Sequence, residues 1–304
     1  MGGHGTLSST RGPLFIAAGA ALWATDALFR FPALSRVPAG VIVLIEHAFG
    51  VLLLLPLVAR NPAYWLGLRP REWIAAFFVG SMGSALATLF FTTAFTLINP
   101  SVVILLQKTQ PIFAISAAAF LLGERPTRSF YLWAPLAILA GAILSFPDLS
   151  FIQVLGEVNP STRGSVLALS AAALWGFSTV VGKKLLVRVE PEPATFARLL
   201  FGFLTLAVFV PVAGLLGPTL EAIQTPRFLW SAAYMGWIPG LAALWLYYRG
   251  LKQTPARIAT IVELVFPLTA VLVNWLVLDL TLSVVQLVAG ALLLLAISRV
   301  SIRG

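Results

Sequence analysis

The sequence predicts an all-α membrane protein of ten transmembrane helices, arranged as two inverted five-helix repeats with both termini cytoplasmic. Three observations predict it. Of 304 residues, 59% are hydrophobic and only 10% charged, and the mean hydropathy is +0.95, whereas soluble domains carry about 25% charged residues. Apolar stretches of the roughly 20 residues needed to cross a bilayer recur along the whole chain. The chain also repeats itself: Ala20-Ala21-Leu22-Trp23 returns as Ala172-Ala173-Leu174-Trp175 and Phe49-Gly50 as Phe201-Gly202, while Val79-Gly80 and Ala87 correspond to Met235-Gly236 and Ala243. A repeat of about half the chain is too long for a solenoid unit, so each copy is expected to be a half-molecule of several helices.

The spans are placed at 13–32, 38–59, 72–96, 100–122, 128–146, 164–187, 194–216, 226–250, 255–278 and 282–300. Their Leu, Ala, Val, Phe and Gly content lacks the strict polar/apolar alternation of an outer-membrane barrel, so helices are expected. The first span holds Asp26 and Arg30, four residues apart, and reads as an ion pair reaching for the interface. With no small-residue cleavage site after it, this span is expected to be retained and not to be a signal peptide. The second holds Glu46-His47 and the third Phe90 and Phe91. The fourth contains Gln107-Lys108-Thr109-Gln110-Pro111, five residues without an aliphatic side chain in an otherwise apolar run. The sixth holds Trp175, and the seventh opens with Arg198. The eighth carries Tyr234, Trp237, Trp245, Tyr247 and Tyr248, and the ninth Glu263. Residues 1–147 and 164–304 form the two halves, joined by an extracytoplasmic connector at 148–163.

Charge sidedness supports this threading. Fourteen Lys and Arg fall on the side of the N-terminus (Arg11, Arg60, Arg69, Arg71, Arg125, Arg128, Lys183, Lys184, Arg188, Arg249, Lys252, Arg257, Arg299, Arg303), against four opposite (Arg30, Arg36, Arg163, Arg227). The positive-inside rule then puts both termini in the cytoplasm. Five crossings per copy force the second copy to enter from the other face, and inverted repeats give two near-equivalent packings, open to one side or the other. Transport by alternating access is the expectation, in the cytoplasmic (inner) membrane and without need of an oligomer. The basic residues show no aromatic-interleaved cluster, which argues against nucleic acid. With no Cys and two His, thiol and metal sites are not expected, nor is a cofactor. Gly176 to Gly182-Lys183 departs from a P-loop in spacing and in having Lys184 where Ser or Thr belongs, so uphill movement is expected to draw on a gradient.

Five-plus-five helices, the duplicated Ala-Leu-Trp, Arg198 opening the seventh helix, and the stretch from Pro111 to Gly123-Glu124 together resemble the drug/metabolite transporter superfamily, in its EamA branch. The duplicated pattern carries the resemblance over nearly the whole chain. Where that family's second helix often has Arg, this chain has Glu46-His47. The resemblance implies a basket of ten helices around a cavity lined by helices 1, 3, 4, 6, 8 and 9, moving small metabolites. Among members it is similar to amino-acid exporters, including those for aromatic amino acids. The expected partners are thus a small molecule, an amino acid first, and the lipid bilayer.

Ionisable groups inside a membrane cost at least about 2.5 kcal/mol each and mark site candidates. Lys108 lies roughly 12 Å below the outer surface at 1.5 Å per residue from Pro100. Matching Pro100 to Pro255 puts Glu263 at the equivalent position, about as deep from the other face. Three readings are open for Lys108: contact with a substrate carboxylate or polar group, a fixed bridge to Glu263, and snorkelling to water. Gln107 and Gln110 flank it, and Trp23, Trp175, Phe90, Tyr234, Trp237 and Tyr248 are candidates to enclose an apolar solute. Pro111, Pro239, Gly236 and Gly240 are candidate hinges; Gly236 to Gly240 and its mate Gly80 to Ser84 also have the spacing of close helix packing. Trp65, Trp73 and Trp230 fit the interfacial belt. Glu46-His47 suggests a proton relay or, in a different class of function, the acid-base pair of an intramembrane enzyme on a lipid-linked substrate. Drugs and nucleotide sugars or other anions are alternative cargoes, though anions call for more cavity cations than Lys108 alone.

Overall fold

The computed structural model describes residues 11–61, 68–123, 125–148, 159–251, 254 and 262–303. Among these, nine helices are long and apolar enough to cross a membrane: Arg11–Ala33, Ala39–Ala59, Pro70–Ala94, Pro100–Leu121, Arg128–Ser145, Pro160–Gly182, Glu192–Val212, Pro226–Tyr247 and Val284–Ser301. Val265–Leu278 is a further apolar helix of 14 residues. Residues 255–261 of the ninth expected span, with Trp65, Glu124, Lys252 and Arg257, lie outside the described residues.

Local chemistry sets the helix starts. Proline opens the helices at Pro70, Pro100, Pro160, Pro191 and Pro226, where its missing N–H has no partner to lose. Asn99 and Asn159 cap two of them, accepting from the backbone N–H of Ser101 and Thr162. Gly123 ends the fourth span in the left-handed region, at φ +70°.

Several of these helices are interrupted along their length. The first span breaks at Thr25, between Arg11–Ala24 and Asp26–Ala33. The third carries a π-helical stretch at Val79–Leu86, and the eighth one at Ile238–Ala242. The fourth breaks at Lys108-Thr109, and Glu263-Leu264 form the turn before Val265–Leu278. Spans three and eight, and four and nine, are the pairs that the internal repeat equates.

Packing follows the same pairing. Arg128–Ser145 lies on Val284–Arg303, and Ala39–Ala59 on Pro191–Val212. The first span packs on Ala243–Leu251 and Val265–Leu278, while Pro160–Leu186 packs on Ala87–Ala94 and Gln110–Leu122. Small residues permit the closest approaches. A Cβ on Gly80 would lie 2.5 Å from Phe201 Cβ, and one on Gly236 2.6 Å from the Glu46 carbonyl oxygen. Gly240, by contrast, meets only its own helix, so the expected Gly-xxx-Gly contact is made by Gly236 alone. The main core joins residues of spans one, three, four, five, six, nine and ten, among them Leu105, Leu106, Leu144 and Leu293. Many large apolar side chains, such as Leu52, Phe120, Leu132 and Val212, point outward, as a lipid-facing surface requires.

Candidate functional site

The two helix breaks in spans four and nine bring Lys108 and Glu263 into one neighbourhood. Lys108 Nζ lies over the Phe266 ring, 4.7 Å from its centroid, and Glu263 is near enough for its charge to act on Lys108. The two nevertheless form no ion pair: among the described residues, none of the pairs within 4.0 Å joins them. Glu263 instead accepts a hydrogen bond from the Tyr247 hydroxyl at 2.5 Å. The Tyr247 ring stands 5.2 Å from Trp23, which meets Phe266 edge-on at 6.4 Å. Spans one, four, eight and nine thus contribute three aromatic rings, a cation held on a π face and a carboxylate with acceptor capacity to spare. All five side chains are half-buried.

A second polar group extends from the break towards span six. Gln107 donates to Gln110 at 2.9 Å, and Gln110 to the Thr179 hydroxyl at 3.2 Å, which in turn donates to the Trp175 carbonyl. The other amide atom of Gln107, Oε1, is buried without a partner. Trp175 packs against Phe91 at 5.3 Å and, with Phe90 and Phe266, rests on the main core. Pro111 lies in the first turn of Gln110–Leu122 and opens that helix after the break; it does not kink a continuous one.

The other candidates lie elsewhere. Tyr234 shares a hydrogen bond with Thr25 at 2.8 Å and stacks on Phe29 at 4.1 Å. Trp237 donates to the Phe49 carbonyl. Both line a groove of about 640 Å³ with Arg227, Trp230 and Ile238, away from Lys108. Pro239 sits in the π stretch of span eight. The side chain of Tyr248 lies outside the described part of the structure; its neighbour Tyr247 is the one at Glu263. Trp73 meets Phe201 edge-on, and Trp230 is 75% exposed.

Asp26 and Arg30 do pair, but not at the interface. Arg30 is 5% exposed; its Nε and Nη2 donate to the two Asp26 oxygens, Nη2 also to Glu46 at 2.6 Å, and Nη1 to Thr92 at 2.9 Å. The expected snorkelling pair is therefore a buried network tying spans one, two and three. A third partner on span two, Glu46, is what holds it inside. His47, also buried, bonds the Val43 carbonyl and Ser84, and its Nδ1 is 3.8 Å from Glu46. Arg198 donates to the Gly83 carbonyl. Among the described residues, no three His, Cys, Asp or Glu side chains gather as a metal site.

The chain as a whole is similar to known transporters. The EamA-like transporter family matches the chain twice, over residues 10–146 and 162–302. The riboflavin transporter ImpX of Fusobacterium nucleatum is 30% identical, with 96% of this chain and 97% of that protein covered. The uncharacterized transporter YwfM of Bacillus subtilis is 33% identical, over 54% of this chain and 51% of its own length. A solved crystal structure superposes with a TM-score of 0.61 over 95% of both chains at 19% identity, which bears on the fold alone. With two family matches that together span almost its whole length, the chain belongs to the EamA-like transporter family and is a multi-pass small-molecule transporter of the cytoplasmic membrane.

Proposed function

We propose that the protein is a secondary transporter that moves a flat aromatic metabolite of the riboflavin kind by alternating access between two inverted halves. The observation that carries this reading is the group formed by Trp23, Tyr247 and Phe266 around the unbridged Lys108 and Glu263. Aromatic rings hold a planar heterocycle through its apolar faces and edges. Its polar edge then needs donors and acceptors, which Lys108, Glu263 and Gln107 supply. The full-length similarity to a protein named as a riboflavin transporter favours this cargo.

A second cargo, an aromatic amino acid, is favoured by one feature: opposite charges that lie close without pairing suit the carboxylate and ammonium of a zwitterion. Counterflow in proteoliposomes separates the two. Labelled riboflavin exchanging against unlabelled riboflavin, and not against tryptophan, supports the first; the reverse supports the second. Exchange of neither defeats both.

The inverted threading belongs to the same proposal, with halves at 1–147 and 164–304, a connector at 148–163 outside, and both termini in the cytoplasm. Its support is the paired interruptions in spans three and eight and in four and nine, the matched packing partners and the charge bias. Reporter tags at the connector and the C-terminus are expected in opposite compartments; one shared compartment refutes the threading.

A further inference from the structure

Span eight presents two unlike faces. Phe228, Ala232 and Met235 are buried in one core with Val41, Ile42 and Ile45 of span two. The other face carries Arg227, Trp230, Ser231, Tyr234 and Trp237, spaced three or four residues apart as one stripe of a helix requires. With Phe29 of span one and Ile238, these residues line the groove of about 640 Å³, a volume within the range of small-ligand clefts.

The polar tips of the stripe are turned inward. Tyr234 shares its hydroxyl with Thr25, Trp237 donates to the Phe49 carbonyl, and Ser231 donates to the Arg227 carbonyl. What these rings offer the groove is apolar surface. Arg227 is the exception: its side chain is exposed, and none of the ion pairs within 4.0 Å among the described residues includes it. No carboxylate lines the groove, and Glu221 of the preceding helix stands outside the lining.

Position fixes the surroundings. Pro226–Tyr247 is long and apolar enough to cross the membrane, so Arg227, in its first turn, stands at the polar edge of the bilayer and the stripe descends from it into hydrocarbon. Ten residues separate Arg227 from Trp237, about 15 Å along a helix. That is half of a hydrocarbon core of about 30 Å. The groove therefore runs the depth of one leaflet, with a cation at its mouth and aromatic surface below.

We infer that this groove between spans one and eight binds a single phospholipid of net negative charge. Its phosphodiester lies against the Arg227 guanidinium, an acceptor-only anion on a donor-only cation, and one acyl chain lies along Trp230, Tyr234 and Trp237. A zwitterionic head group brings a cation of its own, for which the lining has no carboxylate, so the site selects anionic lipid. The acyl chain rests on Phe29 and Tyr234, which stack at 4.1 Å, and thereby braces Asp26–Ala33 against Pro226–Trp237.

The inference is independent of the cargo. Native mass spectrometry of the purified full-length protein, released from micelles carrying phosphatidylglycerol or phosphatidylcholine with identical acyl chains, counts the lipids kept. One phosphatidylglycerol is expected to stay bound, at about fivefold the occupancy of phosphatidylcholine, the ratio that one Arg at a membrane surface gives. Arg227→Gln is expected to bring the two lipids level and Arg227→Lys to keep the preference. Arg36→Gln, a charge removed outside the lining, is expected to leave it unchanged. Trp230→Ala is expected to lower retention of both lipids together, because contact with the acyl chain does not read the head group. Equal retention by the wild type, a preference that survives Arg227→Gln, or one that falls as far in Arg36→Gln, overturns the proposal. So does displacement of the lipid by excess riboflavin, which gives the groove to the cargo, or by glycerol phosphate, which makes it a site for a free anion. A dimer that Trp230→Ala takes apart gives the groove to a second copy of the chain and overturns it too.

Discussion

Replacing Arg30 with Met keeps the unbranched stem of the side chain and deletes its guanidinium. Four hydrogen bonds are lost, two to Asp26 and one each to Glu46 and Thr92, and the two carboxylates are left facing each other with side chains only 16% and 8% exposed. Removing one member of a buried ion network costs about 3–5 kcal/mol, because the remaining charge is stranded. At about 1.4 kcal/mol per decade this is a shift of roughly two to four orders of magnitude in the folding equilibrium. Equilibrium unfolding in mixed detergent micelles, followed by circular dichroism, measures it. The cause is isolated by a triple variant, Arg30→Met with Asp26→Asn and Glu46→Gln, which leaves no stranded charge and is expected to recover most of the loss. A single variant within about 1 kcal/mol of wild type, or a triple no more stable than the single, refutes the charge argument.

Tyr247→Phe removes the hydroxyl that holds Glu263; a hydrogen bond to a charged group contributes about 1.5–3 kcal/mol, so KM for riboflavin in exchange is expected to rise at least about tenfold, whereas Tyr234→Phe, whose hydroxyl bonds Thr25 and not Glu263, leaves it within a factor of about two, an order-of-magnitude bound. Lys108→Met keeps an unbranched apolar stem and loses the ammonium over Phe266, and is expected to abolish exchange with normal membrane insertion, checked by blotting the membrane fraction; full exchange ends its role at the site. Gly83→Ala places a Cβ 2.4 Å from Ser178 Cβ, an overpacking that costs about 1–3 kcal/mol, and Ser178→Gly on the same chain is expected to restore the thermal transition because it removes the opposing atoms, while Ser178→Ala is not.

Hydropathy made the spans legible because burial in lipid demands long apolar runs whatever the tertiary contacts are; Ala39–Ala59 and Arg128–Ser145 end within a residue of the predicted positions. The repeat did more, for it equated Lys108 with Glu263 and the structure has a helix break at each. What pattern could not supply was partner choice. Asp26 and Arg30 announce a pair by spacing, but only the fold brings Glu46 and Thr92 to the same guanidinium, turning an interfacial pair into a buried one. Phe266 carried no signal beyond apolarity, and becomes a site candidate only once Lys108 lies over its ring. Tyr248 was a candidate where Tyr247 faces Glu263, and the π stretch at Ile238–Ala242 lies between these tyrosines and the start of their span.

A π turn takes up an extra residue without lengthening the rod by a full step, so everything beyond it is rotated relative to an uninterrupted helix, by about 100° for each residue absorbed. Spans three and eight each contain such a phase shifter. Deleting one residue inside either stretch would therefore let an ordinary spiral form while swinging the distal half of the rod, with Phe90 and Phe91 or with Trp245 and Tyr247, onto a new bearing. The aim of those rings is stored in main-chain winding, out of reach of any single side-chain substitution.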